Sequence, residues 1–116
     1  MTEQALQKAV AAYLRVAMPA DAWWTAVNPI PAKSKAAAGL SKAMGMRAGV
    51  PDLVGVYQGR PWAIELKTGT GSPSRAQRLM HAEMRDAGVR TMVCRSVDEV
   101  WGFLDALSIP LKARAA

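Results

Sequence analysis

The sequence predicts an α/β domain whose elements run helix, three strands, helix, strand, helix. Three observations carry that prediction. Apolar residues recur at three- and four-residue steps in three separate stretches. Short apolar runs of strand length lie between them. Ser74-Arg75-Ala76-Gln77 and Ser96-Val97-Asp98-Glu99 both have the spacing of a capping box, which marks where the last two helices begin.

The first helix covers residues 2 to 17, with Leu6, Val10, Tyr13, Leu14 and Ala17 on its inward stripe, Thr2 as cap and Pro19 beyond its end. Glu3 falls on that stripe. It is either a favourable acid against the positive end of the helix dipole or a carboxylate facing an active site. Residues 22 to 28, AWWTAVN, read as the first strand. Alternation sends Trp23 and Trp24 to opposite faces, so one of them belongs to the core and the other is free to pack or to stack on a base. Asn28-Pro29-Ile30-Pro31 continues as extended chain. Residues 32 to 48 are cationic and rich in small side chains, with room for a short helix near 36 to 43. A connection of this length tends to be functional, and we read it as a mobile arm that contacts phosphates.

Residues 49 to 67, GVPDLVGVYQGRPWAIELK, form the centre of the chain. Gln58-Gly59 fits a two-residue hairpin turn. If Tyr57 and Arg60 flank it, the register places Asp52 directly opposite Glu65, with Lys67 on the same face as Glu65. Trp62, Ile64 and Leu66 then point the other way, into apolar packing. Two carboxylates side by side destabilise a sheet unless a divalent cation takes their oxygens. The alternative is a solvated strand end with a surface ion pair.

After the turn TGTGSP, the next helix starts at the Ser74 cap and ends at Gly88, with Met80, Met84 and Ala87 facing inward. Gln77 completes the capping box and also stands near the Glu65 and Lys67 strand. His81 reads as an ordinary surface or half-buried residue. Val89 to Arg95 is the last strand. The last helix turns Val97, Val100, Trp101, Leu104 and Leu107 inward, and LKARAA is a frayed tail.

The bulk numbers narrow the function classes. The chain has 116 residues, enough for one domain spanning 1–116, and it is 51% hydrophobic. No apolar stretch approaches the roughly 20 residues of a membrane span, and the start lacks a signal-peptide layout. Cys94, the single cysteine, excludes an internal disulfide, and no Cys/His spacing suggests zinc. A cytoplasmic, reducing setting follows. There are 15 Lys and Arg against 9 Asp and Glu, for a net charge of +6. No acid lies between Asp21 and Asp52, whereas Lys33, Lys35, Lys42 and Arg47 do. This points to a polyanionic partner, with Arg75 and Arg78 as further phosphate contacts.

Gly49-Val50-Pro51-Asp52, Ile64-Glu65-Leu66-Lys67 and Ser74-x-x-Gln77, in that order, resemble the VRR-NUC family of the PD-(D/E)XK nucleases. Glu3 is similar to the helix glutamate of archaeal Holliday-junction resolvases. The resemblance implies a restriction-endonuclease-like fold, a central mixed sheet flanked by helices. It implies Mg²⁺- or Mn²⁺-dependent hydrolysis of DNA phosphodiesters, and for short free-standing members a homodimer selective for branched DNA such as Holliday junctions. It assigns Asp52, Glu65, Lys67 and Gln77 to catalysis. It assigns Asp52, Glu65, the Leu66 carbonyl and Glu3 to the metal. Three other readings stand beside this one. They are a non-catalytic nucleic-acid-binding module of the same fold, an RNA-directed nuclease, and a small structural protein whose charge serves solubility.

Overall fold

The computed structural model describes residues 1–27 and 33–114. The extended segment expected at 28 to 31 lies outside them. In chain order the elements are α1 (Glu3–Ala17), β1 (Trp23–Ala26), α2 (Lys35–Ala43), β2 (Leu53–Tyr57), β3 (Arg60–Leu66), α3 (Arg75–Asp86), β4 (Arg90–Cys94) and α4 (Val97–Ala106). The order read from the sequence is recovered, with α2 added inside the cationic stretch. The helix there is started by Ser34, whose hydroxyl accepts from the Ala37 N–H at 3.1 Å. It buries no residue, and Leu40, Met44 and Met46 remain exposed.

The sheet runs β1-β2-β3-β4. Its first three strands are antiparallel, and β4 joins β3 in parallel. The sheet is therefore mixed, and helices cover it on two sides. On one side α1 and α4 bring Leu6, Val10, Leu14, Val100 and Leu104 against Leu53, Trp62, Ile64 and Leu66. On the other side α3 lies over Glu65, which alternation turns away from Ile64 and Leu66. Burial on both faces explains why β3 reads as nearly continuous apolar sequence.

The hairpin register is the one expected, from Tyr57↔Arg60 to Leu53↔Ile64. Gln58 and Gly59 both have positive φ, 50° and 74°, as a type I′ turn demands. Gly55 faces Trp62 across the ladder. A Cβ at Gly55 would stand 2.2 Å from the Trp62 indole, so the glycine makes the space in which that ring lies. Of the adjacent pair on β1, Trp24 packs on the core and Trp23 is exposed.

Two local expectations change. Ser96 accepts from the Glu99 N–H at 3.1 Å, but the Glu99 carboxylate takes the Arg95 N–H at 2.7 Å, so the second capping box is half formed. The tail is docked through residue 114 and not frayed. The Lys112 N–H donates to the Ala17 carbonyl at 2.7 Å, the Tyr13 hydroxyl donates to the Ala113 carbonyl at 2.7 Å, and Arg114 lies 4.2 Å over the Trp101 ring. Among the described residues no helix is long and apolar enough to cross a membrane.

Candidate active site

Asp52 is the residue just before β2, and both neighbouring strands hold it. Its carbonyl accepts from the Val27 N–H at 2.7 Å, and its carboxylate accepts from the Leu66 N–H at 2.7 Å. The side chain is therefore aimed across the hairpin at the end of β3, where Glu65 projects from the same face. Glu65 is 1% exposed. Its carboxyl is pushed up to about 8, first by burial, then by a hydrogen bond to Asp52 and by the charge of Asp52, with Lys67 opposing and Glu3 adding a little. A buried carboxyl beside a second carboxyl favours a bound proton or cation, because two bare charges there repel and burial removes the water that would screen them. Lys67 follows directly, half-buried, with Nζ 3.9 Å from Glu65 Oε2.

α3 supplies the opposite wall. Ser74 and Gln77 form the complete capping box. The Gln77 Oε1 accepts from the Ser74 N–H at 2.8 Å, which leaves only the amide nitrogen to face the sheet. That nitrogen donates to Glu65 Oε2 at 3.3 Å. The cap and the site contact are thus two ends of one amide. Gly49 makes this approach possible. Its φ is +88°, and a Cβ there would stand 2.4 Å from the Ala76 carbonyl oxygen. The Gly49-Val50-Pro51-Asp52 segment consequently lies directly on the first turn of α3.

His81 is the residue the sequence reading misplaced. One turn after Gln77 it is 3% exposed, with Nε2 3.5 Å from Glu65 Oε1. Neither of those two atoms has a hydrogen-bond partner. Burial, then the nearby Arg85, holds the imidazole below its ordinary value. The inward stripe of α3 therefore runs Gln77, Met80, His81, Met84, and Ala87 is exposed. The available signal was the four-residue spacing from Gln77 to His81, which puts both on one helix face.

The remaining expected residues stand further out. Glu3 is exposed in the first turn of α1, and its charge reaches Glu65 without contact. Among the described residues no three of His, Cys, Asp and Glu are grouped closely enough to hold a metal ion. Lys33, Lys35, Lys42, Arg75 and Arg78 are all exposed, and Arg78 also donates to the Pro73 carbonyl at 2.8 Å. Arg47 is engaged: its guanidinium donates to Glu83 at 2.8 Å and ties the chain after α2 to α3.

A family model described as the VRR-NUC domain matches residues 2–98. Among solved structures, a "VRR_NUC domain protein" superposes with a TM-score of 0.71 at 22% identity, covering 90% of this chain and 86% of that one. Another, "VRR_NUC domain", superposes with a TM-score of 0.60 at 19% identity, covering 90% of this chain and 97% of that one. No curated protein matches.

Proposed function

The chain belongs to the VRR-NUC domain family, a nuclease-type family, and from that premise we propose that it is a metal-dependent endonuclease that hydrolyses phosphodiesters in branched DNA. The observation that carries the reading is the placement of Asp52, its carboxylate held on the Leu66 N–H at 2.7 Å, beside the buried Glu65 at the end of the hairpin. An acid pair with one member pushed up to about 8 is costly as structure and useful as a cation site. The donor set fits a hard cation, since carboxylate oxygens dominate it. Asp52 and Glu65 would hold Mg²⁺ or Mn²⁺, with the Leu66 carbonyl beside them at the strand end. When bound, the cation supplies polarisation of the phosphate and a water of lowered pKa.

The chain's own groups do the rest. Lys67, on the face of Glu65, places a positive charge where the phosphorane-like transition state gathers negative charge. Gln77 holds the Glu65 carboxylate by its amide N–H. The exposed lysines of the segment carrying α2 and the arginines at the start of α3 supply phosphate contacts beside the site. Symmetric cutting of two strands calls for two such sites related by a two-fold axis, so the active form is a homodimer.

The test is incubation of wild type and Lys67→Ala with labelled duplex, flap, single-stranded and four-way-junction DNA, and matched RNA, with Mg²⁺, Mn²⁺ or EDTA. Cleavage of branched DNA by wild type, lost with EDTA and in Lys67→Ala, is the expected result. Equal cleavage by the two proteins would sink the mechanism. Binding without turnover would favour a non-catalytic module, and preferential RNA cleavage would redirect the substrate.

A further inference from the structure

We propose that His81 is a positioning residue, which together with Gln77 clamps the two oxygens of the Glu65 carboxylate so that it meets a divalent cation in a fixed orientation. The proposal rests on the metal reading above and extends it to a residue outside the Asp52, Glu65, Lys67 and Gln77 set.

Three observations carry it. First, Gln77 and His81 lie four residues apart on α3, hence on one face, and each addresses a different oxygen. Gln77 Nε2 meets Oε2 at 3.3 Å, and His81 Nε2 stands 3.5 Å from Oε1. Second, Glu65 Oε1 and His81 Nε2 are both buried and both without a partner. A buried polar atom left unpaired is costly, and here two such atoms face each other. Third, the gap exceeds an N–H···O bond by only about 0.5 Å. A packing histidine would need no carboxylate oxygen in front of it.

The gap has a chemical sense. A carboxylate whose two oxygens accept from two N–H donors is held in one orientation, and such charge-assisted bonds are shorter and stronger than neutral ones. A neutral imidazole bearing its hydrogen on Nε2 supplies the second donor. Groups that orient a metal-binding side chain in this way typically affect metal affinity by about 10- to 100-fold.

The experiment measures metal binding directly, with no nucleic acid present. Mn²⁺ binding is followed by electron paramagnetic resonance and Mg²⁺ binding by calorimetry, for wild type, His81→Leu, His81→Gln and Asp52→Asn, with a thermal melt of each. His81→Leu should weaken both ions by a similar factor, about 10-fold or more. His81→Gln, which keeps an N–H of similar reach, should stay within a few-fold of wild type. Three results would overturn the proposal. His81→Leu could bind both ions like wild type. It could lose Mn²⁺ far more than Mg²⁺, which would make the imidazole a ligand. Or His81→Gln could lose as much as His81→Leu while melting like wild type. If Asp52→Asn also binds like wild type, the metal reading itself fails, and that failure is distinct from the failure of His81 alone.

Discussion

Replacing Glu65 with glutamine should make the metal-free protein more stable and inactive at once. The carboxyl is raised from the ordinary 4.5 to about 8 in the folded chain. Between those values the folded chain holds a proton that the unfolded chain has released. The stabilising contribution is therefore complete below about 4.5 and is lost as pH rises through about 8. At about 1.4 kcal/mol per pH unit, the whole interval bounds the effect at about 5 kcal/mol. That shift already contains the opposing charge of Lys67, and assigning about half of it to a carboxyl that interacts with a second acid leaves about 2 kcal/mol near pH 8.5. Glutamine has the same shape, still accepts from Gln77, and cannot ionise. For a domain of this size about 2 kcal/mol corresponds to about 6–10 °C in melting temperature. Circular-dichroism melts in EDTA should show Glu65→Gln above wild type at pH 8.5 and close to it at pH 4.5. Added Mn²⁺ should then raise wild type and leave the variant unchanged. A variant that melts below wild type at pH 8.5 in EDTA would refute the claim that the acid pair is held together at a cost.

Other outcomes follow from single distances. Gly55→Ala puts a methyl into the Trp62 ring and should destabilise by about 1–3 kcal/mol, read as a lower urea midpoint with unchanged slope. Replacing Lys33, Lys35 and Lys42 together by alanine should weaken duplex binding and flatten the plot of log K against log salt by about 2–3 if all three meet phosphates. An unchanged slope would remove that segment from the interface. Glu83→Ala breaks an exposed ion pair and should leave the melting temperature close to that of wild type. It also releases Arg47, so DNA binding at low salt should tighten, and weaker binding there would show that Arg47 acts only as a structural tie.

The parts of this site that were legible in the sequence are those fixed by local rules. A two-residue turn sets the hairpin register, and the register alone puts Asp52 beside Glu65. Side-chain alternation then brings Lys67 to the same face. Cap chemistry placed the start of α3, because Ser74 and Gln77 satisfy each other's backbone. What was not legible depends on how α3 sits on the sheet. No spacing rule says which helix residues reach a strand twelve or sixteen positions earlier, so His81 read as ordinary and Ala87 as inward. The docked tail was hidden for a similar reason. Residues 112 to 114 lack apolar periodicity, and their ties run to α1 through backbone groups and to Trp101 through a ring face.

One clue to the placement of α3 was present in the sequence. Gly49 lies in a turn ahead of β2, where it adopts a φ that other residues avoid and comes up against the Ala76 backbone. A glycine before Pro51-Asp52 and a capping box before Gln77 are thus two halves of one contact. The glycine lets the Asp52 segment approach, and the cap directs the Gln77 amide at Glu65. Seen this way, the segment Gly49-Val50-Pro51-Asp52 and the segment Ser74-x-x-Gln77 are complementary surfaces, and the site is the place where they close on the end of β3. The same closure brings His81 in one turn later. A Gly49→Ala chain should therefore lose the Gln77 and His81 contacts together, as α3 is pushed from the Asp52 segment. The matching measurement is Mn²⁺ affinity, which should fall in Gly49→Ala by at least as much as in His81→Leu, and a Gly49→Ala protein that binds Mn²⁺ like wild type would show that the two segments are assembled independently.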